Sequence, residues 1–100
     1  RMTETLKAET GPFQTEHASK YLQQLCKHFA HKIEVEYDAE KGAAALPPGP
    51  AELHATDSDL TVRITGKDEE ALKVARYIID SHLERFAFRE NFETMDWHAA

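Results

Sequence analysis

Cysteine is almost missing from this chain: Cys26 stands alone among 100 residues. One thiol excludes an internal disulfide framework and suits a reducing compartment, so a cytoplasmic location is expected. No apolar run approaches the ~20 residues that a membrane-spanning helix needs, and no signal-peptide pattern shows. Positive charge is also short. Twelve Lys and Arg stand against 18 Asp and Glu, a formal net charge of -6. Phosphate recognition needs a basic footprint, so neither nucleic acid nor an anionic membrane surface is an expected partner. Gly-rich phosphate loops, Gly-x-Ser-x-Gly elbows and His-Glu-x-x-His motifs are absent too, which leans the expectation away from an enzyme.

What is present suits one globular domain over residues 1–100. Hydrophobic residues make up 41% and charged residues 30%, enough for a small core. Residues Met2 to Thr10 alternate, with Leu6 and Ala8 opposite Thr5, Lys7 and Glu9. This predicts a half-buried strand that Gly11-Pro12 should stop. From Thr15 to Lys32 the apolar period becomes helical: Ala18, Leu22, Leu25 and Phe29 form one stripe, with Thr15 as the expected N-cap.

Period two returns at Ile33, Val35 and Tyr37. Asp38 to Gly42 reads as a hairpin loop with Gly42 at a positive φ. A return strand from Ala43 to Leu46 runs into Pro47-Pro48-Gly49-Pro50, a break expected at a sheet edge. Leu53 and Ala55 suggest another strand, and Leu60, Val62 and Ile64 alternate most clearly. Asp68 then caps a second helix whose stripe is Leu72, Ala75, Ile79, Leu83 and Phe86. In the tail, Phe92, Met95 and Trp97 should pack back onto the body or onto a partner. The expected class is α+β: an antiparallel sheet of four to five strands, two helices on one face, in the order strand, helix, strands, helix.

Two of the six histidines, His28 and His31, lie three apart on the first helix. On a helical wheel His28 falls about 80° from the centre of the core stripe, and His31 lies nearer solvent. Cys26 falls on the opposite flank, so no Cys-His-His metal set can form there. His82 rims the stripe of the second helix. An odd number of strands between the helices would make them parallel and place His28 and His82 at comparable heights. His28, His31 and His82 are therefore the candidate metal ligands, because zinc sites want three or four. The plainer reading of a rim histidine is a partly buried ring bonded to a carbonyl or carboxylate. His17, His54 and His98 are expected at the surface. Cys26 reads as an inert, half-buried thiol. Glu34, Glu36 and Asp38 read as a solvated acidic row, with Arg63 available for a cross-strand pair.

Two strings, Tyr21 to Lys32 (YLQQLCKHFAHK) and His82 to Glu90 (HLERFAFRE), together with Trp97, carry a resemblance over nearly the whole chain. The chain resembles a small bacterial family catalogued as a domain of unknown function, number twenty-two eighteen. That resemblance implies an α+β protein without an established activity. Some relatives are associated with siderophore-interacting proteins, which implies a link to iron handling and assigns no residue.

Three functions compete. The first is a noncatalytic binding or accessory domain, with the link to iron or siderophores that the resemblance implies, whose exposed sheet face or tail meets another protein or a second copy. The second binds a metal, haem or ferric siderophore through His28, His31 and His82. The third is an enzyme with His28 or His82 as general base. The sequence names no cofactor. The separation of His28 from His82 is the quantity that discriminates among these readings.

Overall fold

The structure, a computed structural model, describes residues 5–100. In chain order the elements are β1 (Lys7–Gln14), α1 (Ala18–Phe29), β2 (Val35–Tyr37), β3 (Lys41–Leu46), β4 (Gly49–Ala55), β5 (Asp59–Gly66), α2 (Glu69–Phe86), a 3-10 turn (Phe88–Glu90) and β6 (His98–Ala99). The strands form one sheet in the order β2-β3-β4-β5-β1-β6, every neighbouring pair antiparallel. The architecture is α+β, with six strands in the sheet. No helix among the described residues is long and apolar enough to cross a membrane.

Alternation decides which side is covered. Ala44, Leu46, Ala51, Leu53, Ala55, Leu60, Val62 and Ile64 are buried. They join the helical stripes Ala18, Leu22, Leu25 and Phe29 of α1 and Leu72, Ala75, Ile79 and Leu83 of α2 in one core. Their sequence neighbours, such as Ala43, Glu52, His54 and Arg63, are exposed on the other face. Both helices therefore lie on one side.

Several local expectations change. Of the strand expected over residues 2–10, Met2 to Glu4 lie outside the described residues, and the strand runs on through Gly11-Pro12 to Gln14. Gly11 is there for space: a Cβ would stand 2.8 Å from the Met95 side chain and 2.9 Å from the Trp97 ring. Around Pro12, β1 has a neighbour on one side only, since β6 pairs just with Glu9 and Thr10. That is where a sheet tolerates proline. The helix starts at Ala18 rather than beside Thr15, and no side chain caps it. Thr15 instead accepts from the His17 N–H at 3.0 Å.

Gly42 does not take a positive φ; no described glycine does. Asp38 makes the turn, accepting from the N–H groups of Glu40 and Lys41, each at 2.8 Å. Gly42 lies inside β3, where a Cβ would meet the Cys26 sulfur at 2.8 Å. The missing side chain lets α1 sit down on the sheet. Pro47-Pro48 turns β3 directly into β4, so the proline run is a hairpin and not a break at an edge. All four segments read as strands between the helices join the sheet, so the odd number does not hold, and an even number makes the helices antiparallel rather than parallel. The contacts agree: Tyr21, early in α1, reaches Glu90, whereas His28, near its end, meets His82.

Asp68 caps α2 as expected, accepting from the Ala71 N–H at 2.9 Å. The tail packs back through Asp80, which accepts from the Thr94 hydroxyl (2.6 Å), the Met95 N–H (3.1 Å) and the Trp97 indole N–H (3.0 Å).

Candidate functional site at the helix seam

Where the end of α1 crosses the later part of α2, four aromatic rings converge. The His28 and His82 centroids are 4.7 Å apart, tilted by 55°. Phe29 lies edge-on to His82 at 5.3 Å, and Phe86 lies 6.0 Å from His28. Phe29 holds its place because it belongs to the core stripe, and His28 follows as the next position on the wheel. The longer α2 makes the meeting possible. Its residues beyond Ile78 overlap the end of α1 despite the antiparallel course.

His31 stands on the outer side, 6.4 Å from His28. His28 therefore has each of the other two predicted residues as a ring neighbour. Among the described residues no group of three His, Cys, Asp or Glu side chains is arranged to hold a metal ion.

The three rings rim a cavity of about 370 Å³ whose walls include Phe29, Ile33, Leu46, Pro47 and Ile78. This is the lower part of the size range of small-molecule sites, and apolar walls with a few convergent polar groups are their usual chemistry. Ile33 comes from the exit of α1 and Pro47 from the β3–β4 turn.

His82 is oriented. Its Nδ1 lies 2.6 Å from the Ile78 carbonyl. A carbonyl only accepts, so Nδ1 carries the hydrogen and the neutral ring offers the Nε2 lone pair. Metal-binding histidines are commonly held this way. The same bond is also the plainer role of a rim histidine. His28 is held below its ordinary pKa by desolvation first, then by His82, His31, Arg85 and Lys32. His28 thus favours its neutral form, which can ligate a metal or accept a proton.

Two metal–nitrogen bonds of ~2.0–2.1 Å diverging from one ion suit rings this close. A haem plate between the rings does not fit: those two bonds laid end to end, plus the depth of both rings, exceed a 4.7 Å centroid separation.

The other expected surface residues lie elsewhere. His17 packs its edge toward Tyr21, His54 lies on the open sheet face, and His98 bonds the Asp96 carbonyl at 3.1 Å. Cys26 is fully buried, and burial pushes its thiol up to about 11. Arg63 lies opposite Glu52, not the acidic row on β2, and makes no ion pair among the described residues.

Two carboxylates escaped the sequence reading. Glu90 accepts from the Tyr21 hydroxyl at 2.6 Å and the Thr15 hydroxyl at 2.9 Å. Burial, then the bond to Glu90, raises Tyr21 to about 12. Asp80 holds the tail. No periodicity flags either residue, because each acts across more than one element.

No protein of curated function matches the chain. Among solved structures, the NMR structure of PA4090 from Pseudomonas aeruginosa is similar. It shares 32% sequence identity, covers 92% of this chain and 95% of its own, and superimposes with a TM-score of 0.76. A family model described as an uncharacterized protein conserved in bacteria matches residues 10–98. With that match spanning both helices and all of the sheet but the first three residues of β1 and the last of β6, the chain belongs to this bacterial family, DUF2218.

Proposed function

We propose that this chain is a noncatalytic binding domain whose ligand sits in the seam cavity and is held by His28 and His82. The ligand is a metal centre that arrives with most of its own donors. One observation carries the reading: two imidazoles from different helices stand 4.7 Å apart over apolar walls, and one of them is fixed in the tautomer that exposes Nε2. Two donors are too few to build a site from a bare ion, so the remaining positions belong to the ligand. Imidazole suits copper, zinc, nickel and iron. The iron association carried by the family resemblance makes ferric chelates the first to try. The walls would receive the organic part of the chelate, with His31 at the mouth.

Calorimetric titration tests this with ferric and cupric iminodiacetate, chelates that leave coordination positions open. The wild type should bind one of them with a Kd tighter than about 100 μM. His28→Ala and His82→Ala should each weaken binding at least about tenfold, the loss of one metal–imidazole bond. His17→Ala, remote from the seam, should leave it unchanged. Binding weaker than this limit, or binding indifferent to both seam substitutions, overturns the reading.

A further inference from the structure

The sheet face away from the helices is uncovered, and its side chains follow a pattern. Cross-strand partners point to the same side, so one row runs across all six strands: Glu36, Ala43, Glu52, Arg63, Thr10 and His98. A second row, two residues along, runs Lys41, His54, Thr61 and Pro12. A shallow depression of about 740 Å³ covers much of this face. In the first row acid lies toward β2 and base toward β6, while the second row carries Lys41 on β3.

We propose that this face binds a second copy of the same chain, sheet on sheet, about a two-fold axis running along the strands between β4 and β5. That axis exchanges the third strand with the fourth, the second with the fifth and the first with the sixth. In the first row it sets Glu52 against Arg63 of the second copy, Ala43 against Thr10, and Glu36 against His98. In the second row it sets His54 against Thr61 and Lys41 against Pro12. Acid meets base, and each long side chain otherwise meets a short one.

A two-fold interface must be complementary to itself in this way. Arg63 supports the assignment. It is exposed and unpaired among the described residues although Glu52 is its direct cross-strand neighbour, so its guanidinium is free for a carboxylate across the axis. Aligned sheets cross at about 30°, so the pairs nearest the axis stay closest. The Glu52–Arg63 pair lies there.

Sedimentation analysis provides the test. The wild type should dimerise, and its Kd should rise at least about tenfold between low and high salt, since both central contacts are ion pairs. Arg63→Glu and Glu52→Arg should each weaken the dimer at least about tenfold, through like charges placed across the axis. An equimolar mixture of the two variants should associate within about threefold of wild type, because acid again meets base on both sides. Thermal melts of each variant establish that it folds; these positions are exposed. A wild type that stays monomeric at about 1 mM overturns the proposal, including one that takes a small molecule on this face instead. So does a dimer indifferent to both substitutions, or a mixture that associates no better than either variant alone.

Discussion

At the N-terminal end of α1, Tyr21 and Thr15 donate to one oxygen of Glu90, and Phe13 packs against Tyr21 and Phe92. At its C-terminal end His28 faces His82 with ring contact and no hydrogen bond between them. The helix is thus tied at one end by polar groups whose partners are all supplied. At the other end it is left with donors and acceptors to spare beside an open cavity. The first arrangement suits a fastening and the second suits a site, since unspent hydrogen-bonding capacity is what a ligand can use.

The contrast breaks if the two ends respond alike to substitution. Glu90→Ala should cost most, about 1–3 kcal/mol, because it strands the hydroxyls of Thr15 and Tyr21, both largely withdrawn from water. Chemical denaturation measures this. Tyr21→Phe should cost about 1 kcal/mol, one net hydrogen bond, and should cost far less in the Glu90→Ala background. Additive losses would mean that the three groups do not act together. The raised Tyr21 pKa means that the folded chain holds this proton more tightly than the unfolded one. The stabilisation is therefore present below pH 10 and is lost as pH rises toward about 12.

The seam should respond differently. His28→Gln should change stability near pH 8 by no more than about 0.5 kcal/mol, as expected for an exposed position without a bond to lose. Its signature is in the pH profile. His28 titrates below its unfolded value, so protons bind preferentially to the unfolded chain and stability falls as pH drops below about 6.5. His28→Gln should flatten that slope. A variant that loses stability at pH 8 as Glu90→Ala does would make the seam a fastening too.

The two ends also differ in how far the sequence discloses them. Wheel positions place His28 and His82 at the rims of their stripes, because burial of Leu25, Phe29, Ile79 and Leu83 fixes each helix's rotation. That they meet did not require the parallel helices expected; the length of α2 carries His82 back over the end of α1. Parallel helices rested on an odd number of strands between them, whereas all four alternating segments join the sheet, with Pro47-Pro48 closing a hairpin instead of marking an edge. Gly42 was likewise legible as a special position, but its reason, the approach of Cys26, is a contact between distant segments. Glu90 sits in a charged surface string and becomes a partner of Tyr21 only because the 3-10 turn brings it beside the start of α1.

Gly42 and Cys26 together give the chain a clock of its own. The lone thiol is sealed between α1 and β3 and held in its unreactive protonated form. A maleimide or disulfide reagent should leave the folded protein unmarked and mark each molecule once when the helix lifts from the sheet. The rate of labelling then counts openings of the core without any engineered probe.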